Sequence, residues 1–336
     1  MKLRGVISGF GEVAARGHLP GWITREGVSI VAVQDPIPER RQLAMRLLKG
    51  ARIYDDLGLM LDGESPDFVD IASPPASHAT AIRAALGAGA HVLCEKPLCL
   101  DIAEFDELAS LATSASRVLM CVHNWKHAPA FAVARHALAS GRLGALGLID
   151  IERLRTEPAG GAGKWRSEKP SGGGILIDHG WHAFYLMEWL MGDTPRSVSA
   201  FLGHQSGSGL DDLADLRVSF RENRLARAYL SWRALVRRTY TALHGDKAML
   251  EIDDGRVTLT DRSGAVEDLT PEDAPDDSYH SSWFAEVAND FERAVASDGV
   301  SAIAVRNTEE VRIALRLIAG ASKSALQGGS SVNLET

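Results

Sequence analysis

Apolar residues in the first third of the chain occur as short runs separated by longer segments with helical periodicity. Short apolar runs bounded by turn residues are typical of strands buried in a parallel sheet. Their alternation with helical segments predicts an α/β fold with a doubly wound, mostly parallel Rossmann sheet. The predicted strands are 3–8, 29–34, 52–54, 68–73, 91–94 and 118–122, and the predicted helices are 38–49, 77–88, 102–115 and a segment ending near 23.

The pattern changes near residue 124, where strands begin to follow one another directly. Successive strands separated by Gly, Asp or Asn predict a large, mostly antiparallel open sheet in an α+β domain. We therefore predict a Rossmann domain at 1–123, to which the glycine-rich turn below assigns dinucleotide binding, and an α+β domain at 124–336, to which the family resemblance below assigns substrate binding and oligomerisation. The predicted helices of the second domain are 129–140, 178–191, 281–296 and 307–325. Its predicted strands are 146–156, 197–202, 215–220, 226–232, 240–244, 248–252 and 257–260. The tail from 327 is expected to fray.

Composition limits the classes of function. The 336 residues are enough for two domains, and the net charge of −8 speaks against a nucleic-acid or anionic-membrane surface. Cys94, Cys99 and Cys121 fall in or beside apolar segments without CxxC spacing, so we expect reduced core residues. No apolar window reaches the ~18 residues of a membrane span. We expect a cytoplasmic protein with neither a nucleic-acid nor a membrane partner.

A glycine-rich turn follows the first predicted strand. The letters GFGEVA fit the G-x-G-x-x-G/A fingerprint of dinucleotide-binding proteins, with Ala14 at its last position. The first glycine permits a tight turn, the second lets the backbone approach a pyrophosphate, and the helix N-terminus offers N–H groups to the phosphates. The predicted cofactor contacts in this turn are Gly9, Phe10, Gly11, Glu12 and Val13.

An acidic residue, Asp35, ends the second predicted strand, at the position expected to bind the ribose hydroxyls. Like charges 4 Å apart repel by about 4 kcal/mol at an effective dielectric constant of 20, so a 2′-phosphate is disfavoured. Arg40 and Arg41 follow closely and weaken that argument. We predict NAD as the cofactor, with NADP as an alternative.

Ligands of doubly wound sheets bind at the carboxyl ends of the strands. His78 begins a helix there and either contacts the cofactor or has a structural role, and His18, beside Pro20, is expected to be structural. The residues predicted at these strand ends are Ser73, Pro74, Pro75, Glu95, Lys96, His123 and Asn124.

The letters GGGILIDHGWH at 172–182 lead a glycine run into a predicted helix. Asp178 and His182 are four residues apart, which places their Cβ atoms about 5–6 Å apart on one helix face. Together with Lys96, they suit proton abstraction from a hydroxyl group. His179 adds a third side chain of a metal-binding type, but it is offset from that face and the spacing lacks an HExxH pattern, so we predict no metal site.

The ordered combination of GFGEVA, VQDP, SPPASH, CEKP, KWR and GGGILIDHGWH resembles the Gfo/Idh/MocA oxidoreductases, the glucose-fructose oxidoreductase and inositol dehydrogenase group, across nearly the whole chain. The resemblance implies an enzyme that oxidises a secondary alcohol of a sugar, sugar derivative or cyclitol, or reduces the ketone. It also implies a homodimer or homotetramer formed through the C-terminal sheet.

By the same resemblance, Lys96 matches the catalytic lysine, Asp178 a supporting carboxylate and His182 the general acid/base. Glu95, Trp165 and Arg166 match positions that border the nicotinamide. The chain departs from the family at HNWKHAP, where many members have Arg after the Asn, so the substrate contacts there are open. Arg153 and Arg155 alternate on a strand, where one binds a charged substrate group or both lie on a solvated face. The predicted substrate contacts are Lys126, Arg155 and His179.

A second function is compatible with the same fold, namely a non-catalytic regulator that responds to NAD(P). A sensor needs none of Lys96, Asp178 and His182. Their joint presence favours the enzyme.

Overall fold

The computed structural model describes residues 2–157, 165–168, 171–204, 209–272, 279–297 and 300–334. The chain folds as two compact units, each made of two segments. The first unit is Met1–Asn124 with Asp276–Arg312, and the second is Trp125–Pro275 with Ile313–Thr336.

Strands and helices are numbered in chain order. The strands are β1 Leu3–Ser8, β2 Val28–Gln34, β3 Arg52–Tyr54, β4 Phe68–Ile71, β5 His91–Cys94, β6 Leu119–Cys121, β7 Leu146–Leu154, β8 Ser197–Gly203, β9 Leu213–Ser219, β10 Leu225–Ser231, β11 Arg238–Gly245, β12 Ala248–Asp253, β13 Arg256–Asp261, β14 Val266–Asp268 and β15 Val332–Asn333. The α-helices are α1 Leu19–Ile23, α2 Pro38–Leu47, α3 Leu57–Glu64, α4 His78–Gly87, α5 Ile102–Ser114, α6 Pro129–Ala139, α7 Trp181–Met191, α8 Ser281–Val295 and α9 Ala302–Leu326.

The first unit contains a six-stranded parallel sheet with the strand order β3-β2-β1-β4-β5-β6. Strand order reverses between β1 and β4, so these strand ends form the topological switch point at which such sheets bind ligands. The predicted doubly wound fold is confirmed. Helix α3 was not predicted, because two glycines interrupt its short apolar pattern, but the Asp56 side chain caps it by accepting from the Leu59 amide at 2.9 Å.

Aromatic packing assigns α8 to the first unit. Phe291 and Trp22 lie against Phe68, with ring centroids 5.4 Å and 4.8 Å away, and Phe284 meets Trp22 at 5.5 Å. The predicted division at 123/124 put this helix in the second domain, whereas 276–312 belongs with the first unit. The reason is that the apolar face of α8 completes the core under β1 and β4, which local sequence pattern does not reveal.

Two helices begin with a wide π-helical turn rather than the regular geometry that the sequence predicts. Ala14–His18 precedes α1, and Leu176–Gly180 precedes α7. At the first turn, a Cβ on Gly17 would lie 3.1 Å from the Tyr279 carbonyl oxygen, which is a tight contact. Single π-helical turns occur frequently at functional sites.

The second unit contains a nine-stranded sheet with the order β14-β13-β12-β11-β7-β10-β9-β8-β15. Its neighbours are antiparallel except for β7 and β10, so the predicted mostly antiparallel sheet is confirmed. The prediction of a frayed tail is wrong, because β15 pairs with β8 and the Leu334 amide donates to the Arg196 carbonyl at 2.8 Å. In the described part of the chain, no helix has the length and apolar character needed to cross a membrane.

Candidate active site

The glycine turn after β1 is built as the fingerprint predicts. Gly9 has φ +88°, and a Cβ there would lie 2.6 Å from the Ser73 amide nitrogen. Only glycine combines that backbone conformation with so close an approach of two chains. A Cβ on Gly11 would meet nothing nearer than the Arg40 guanidinium, at 4.0 Å. The turn therefore brings bare backbone to the carboxyl end of β1.

Asp35 is fully buried beside this turn. One carboxylate oxygen accepts from the Phe10 amide at 2.7 Å and the other from the Ile37 amide at 2.8 Å. Arg40 Nη1 lies 3.5 Å from the same carboxylate. Asp35 thus stabilises the glycine turn through the Phe10 amide, a role that the sequence did not predict. Its contact with a ribose stays a prediction.

His78 joins two turns at the carboxyl edge. The ring is buried, with Nδ1 2.8 Å from the Pro97 carbonyl and Nε2 2.7 Å from the Ser73 carbonyl. Burial lowers the pKa of His78, with both carbonyls acting in the opposite direction. Both ring nitrogens lie within hydrogen-bond distance of backbone carbonyls, which supports the structural interpretation of this histidine. Cofactor contact by His78, Pro74 or Pro75 stays a prediction.

Lys96 is the second residue after β5 and is half-buried. Its peptide bond with Pro97 is cis. The Lys96 amide donates to Glu95 Oε2 at 2.9 Å, so the Glu95 carboxylate turns back onto the chain. The lysine therefore lies at the same sheet edge as the glycine turn.

Glu95, the residue before this lysine, belongs to a buried cluster of charged side chains with His18 and Asp70. His18 Nδ1 is 3.0 Å from both oxygens of Asp70, and His18 Nε2 is 3.0 Å from Glu95 Oε1. Burial alone would lower the pKa of His18, but Asp70 and Glu95 outweigh it and raise that pKa to about 9. Burial would raise the pKa of Glu95, but His18 lowers it. The sequence missed this cluster, because its members are 52 and 77 positions apart and no local pattern connects them.

A second buried pair follows β6. His123 Nδ1 lies 2.9 Å from Glu310 Oε2, and both residues are buried. Asn307, also from α9, donates to the Cys121 carbonyl and accepts from its amide. These contacts hold the end of β6 and hence the start of the turn Asn124–His127.

In the second unit, a glycine run shapes the approach to Asp178. Gly174 has φ +113°, and a Cβ there would lie 2.4 Å from Asp211 Oδ1. Asp178 is buried, and its Oδ2 accepts from Arg166 Nε at 3.0 Å. His179 Nε2 lies 3.8 Å from the same oxygen, so His179 contacts Asp178. The carboxylate is thereby an anchor for Arg166.

His182 lies on the first turn of α7 and is partly exposed. Its Nδ1 is 3.0 Å from the Tyr185 hydroxyl, which also accepts from the Trp125 amide at 3.2 Å. The Trp125 ring lies 5.7 Å from the imidazole. Tyr185 was missed by the sequence analysis, although its position three residues after His182 on a helix was a usable signal.

Arg153 near the end of β7 and Arg155 just after it both contact β11. Arg153 Nη1 donates to the Tyr240 carbonyl at 2.6 Å and Nη2 to Thr241 Oγ1 at 3.3 Å, and Arg155 repeats this pattern with the Arg238 carbonyl and Thr239. Burial, the largest effect, lowers the pKa of Arg153 to about 9 and that of Arg155 to about 10. The reading of a solvated sheet face is wrong for Arg153, which is 4% exposed.

The remaining predicted residues divide between the units. Asn124 is in the first unit, and Lys126 lies next to it in sequence but in the second. The Arg166 guanidinium lies 4.3 Å from the Trp165 ring centroid, whereas Lys164 falls outside the described residues. Cys94, Cys99 and Cys121 are free and buried. Among the residues that the structure describes, no three His, Cys, Asp or Glu side chains are grouped to hold a metal ion.

Comparison with known families gives two matches. Residues 3–123 match the oxidoreductase family with an NAD-binding Rossmann fold, Gfo/Idh/MocA. Residues 131–251 match the Gfo/Idh/MocA C-terminal domain.

Curated relatives of this chain include sugar dehydrogenases. D-apiose dehydrogenase of Paraburkholderia graminis is 29% identical over 217 residues, covering 64% of this chain and 56% of the relative. D-glucoside 3-dehydrogenase of Escherichia coli is 31% identical over 199 residues, covering 59% and 57%. The chain thus spans somewhat over half the length of these relatives.

Among solved structures, an oxidoreductase from Agrobacterium radiobacter in complex with NAD+, L-tartaric acid and magnesium matches over 99% of both chains. The TM-score is 0.85 and the sequence identity 18%, so this likeness shows the fold.

Proposed function

Because this chain belongs to the Gfo/Idh/MocA family of oxidoreductases, we propose that it is an NAD-dependent dehydrogenase acting on a secondary alcohol, or on the corresponding ketone. The observation that carries the proposal is the position of Lys96. It lies at the carboxyl edge of the parallel sheet, the edge that the glycine turn at Gly9 also occupies. Because ligands of such sheets bind at that edge, a cation there supports a role for Lys96 in acting on the substrate.

The residues of the first unit fit the cofactor. The turn at Gly9 is a cradle that a Cβ would fill, and the helix that follows Gly11 offers its N-terminal amides to a pyrophosphate. NAD supplies the hydride acceptor when bound. Arg40, whose Nη1 lies 3.5 Å from the Asp35 carboxylate, keeps NADP as an alternative cofactor.

The chemical step requires a base and a stabilised alkoxide, since an alcohol loses hydride only as its O–H proton leaves. His182 takes that proton. The Tyr185 hydroxyl, 3.0 Å from Nδ1, orients the imidazole for this role. Lys96 donates a hydrogen bond to the developing alkoxide. Asp178 accepts a hydrogen bond from Arg166 and so holds that arginine in place. The proposal thus makes Lys96 and His182 the two residues on which turnover depends most.

The substrate class is a sugar, a sugar derivative or a cyclitol. The two dehydrogenases named above, with 29% and 31% identity, support a sugar. Lys126, Arg155 and His179 remain the proposed substrate contacts. Arg155 directs one guanidinium nitrogen to the backbone of β11, so its role there is orientation of the pocket wall as much as direct contact. No observation favours the regulatory alternative, and we do not retain it.

We also propose a homodimer or homotetramer formed through the nine-stranded sheet. One face of β10 carries Leu225 and Tyr229, which are 36% and 39% exposed, and Phe201 of β8 is 64% exposed. Large apolar side chains on an open sheet face support a protein contact. Three buried, free thiols support a reducing, cytoplasmic location.

A substrate panel tests the proposed function. Purified protein is mixed with NAD or NADP and a set of aldoses, glycosides, sugar acids and cyclitols, and nicotinamide absorbance is followed. We expect reduction of NAD with at least one sugar or cyclitol. Tight NAD binding without turnover on any alcohol, or on any ketone with NADH, would overturn the proposal.

A further inference from the structure

Three ionisable side chains link the wide turn after the glycine loop to the backbone of Lys96. His18 and Asp70 are buried, and the Glu95 side chain is 17% exposed. His18 lies between the two carboxylates at 3.0 Å from each, and Glu95 uses its other oxygen to accept from the Lys96 amide. A continuous chain of hydrogen bonds therefore runs from Asp70 to Lys96.

The geometry favours a positively charged His18. A neutral imidazole has one N–H, so one of the two carboxylates would face a ring lone pair, whereas an imidazolium donates to both. Trp22 Nε1 donates to Asp70 Oδ2 at 2.7 Å, and the Phe284 ring stacks on the imidazole at 3.8 Å. These rings keep water out, so without the cation two buried anions would repel one another across the gap.

We propose that His18 is a positioning residue whose buried positive charge keeps Glu95 ionised, so that Glu95 holds the backbone of Lys96 in place at the sheet edge. His18 touches no reacting atom and acts through Glu95. The inference rests on the proposed function in one respect, that Lys96 takes part in the reaction.

The surroundings of His18 support this assignment. Asp70 faces it from β4 and Glu95 from the end of β5, while α1 and α8 present the rings of Trp22 and Phe284. The nearby thiols of Cys94 and Cys121 are buried, which raises their pKa values well above the ordinary range and keeps them neutral. The positive charge of Lys96 also lowers the pKa of Glu95. The His18 charge is therefore matched against two carboxylates.

The first test replaces the cation and reads the hydrogen bond directly. In His18→Gln, Glu95 is left beside Asp70 without its cation, so its pKa should rise. The amide resonance of Lys96, followed by NMR in labelled protein, should then shift with pH between about 5 and 8, whereas in the wild type it should stay constant. This measurement needs no substrate, so it stands even if the substrate panel shows no turnover.

The second test removes a negative charge to compensate for the lost positive charge of His18. Adding Asp70→Asn to His18→Gln removes the repelling anion, so the Lys96 titration should move back toward acid pH. Where a substrate is known, turnover of His18→Gln should fall about tenfold for each pH unit below the raised pKa of Glu95, with little change in KM, and the double variant should regain part of it. A packing defect would instead be worse in the double variant.

His78→Gln is the matched control, since it alters another buried histidine whose ring nitrogens lie on the backbone carbonyls of Pro97 and Ser73 rather than on carboxylates. Its Lys96 amide should not titrate. If His18→Gln does not fold, the imidazole nitrogen shifts of wild-type His18 decide the matter, and they should be those of an imidazolium at pH 7.5. A neutral His18 at that pH, a pH-independent Lys96 amide in His18→Gln, or a double variant worse than the single one would overturn the proposal.

Discussion

Nδ1 of His182 lies 3.0 Å from the hydroxyl oxygen of Tyr185, less than one turn further along α7. The same oxygen accepts from the Trp125 amide at 3.2 Å, and a hydroxyl can serve both partners at once. Tyr185 is fully buried, so its position is fixed by packing. The imidazole is therefore oriented by a rigid neighbour, as a general base requires.

Tyr185→Phe should lower kcat roughly fivefold with little change in KM, because a hydrogen bond worth about 1 kcal/mol no longer orients His182. Steady-state kinetics measure the effect. Tyr229→Phe, on the exposed face of β10, is the control and should match the wild type. A lower melting temperature with unchanged kcat would show that Tyr185 is only structural.

Gly9→Ala should abolish NAD binding, because the added Cβ would lie 2.6 Å from the Ser73 amide nitrogen and distort the turn. Isothermal titration calorimetry measures the affinity. Gly50→Ala separates this clash from backbone strain, since Gly50 has φ +93° but no atom within 4 Å of the added Cβ. Equal losses of NAD affinity in the two variants would contradict the explanation.

Asp35→Asn should both destabilise the fold and weaken NAD binding. The amide group leaves one of the Phe10 and Ile37 amides without its acceptor, and hydrogen bonds to a charged group are worth about 1.5–3 kcal/mol. Chemical denaturation and calorimetry measure the two effects, with exposed Asp55→Asn as the control. Weaker binding at unchanged stability would mean that Asp35 serves the ribose alone.

Stability should fall as pH rises through the titration of His18. The folded pKa of about 9 exceeds the ordinary 6.5, so the contribution is fully present below pH 6.5 and is lost as pH approaches 9. It is on the order of 3 kcal/mol. Urea denaturation between pH 6 and 9.5 should show this decline in the wild type and a flatter profile in His18→Gln. Parallel profiles would refute a protonated His18.

Local patterns predicted the parts of this fold that depend on local physics. The turn at Gly9 and the strand leading to Lys96 follow from glycine spacing and continuous apolar runs, and the antiparallel sheet follows from closely spaced strands. Helix α3 was obscured by Gly58 and Gly63, which weaken the helical signal although Asp56 caps the helix.

The features that escaped prediction depend on residues distant in sequence. His18 meets Asp70 and Glu95 only after three strands have assembled, and Phe284 reaches them from α8 near the end of the chain. The buried state of Asp35 likewise depends on amides from two different turns. The sequence shows which ionisable residues are present, whereas tertiary packing determines which of them form hydrogen bonds with one another.

The central proposal is that Lys96 and His182 are both catalytic, and the most direct measurement is the turnover of Lys96→Met and His182→Ala on the substrate that the panel identifies. Each variant should lose roughly 10²–10⁴ in kcat, while melting temperature and NAD affinity stay near those of the wild type. Wild-type turnover in either variant would contradict the account.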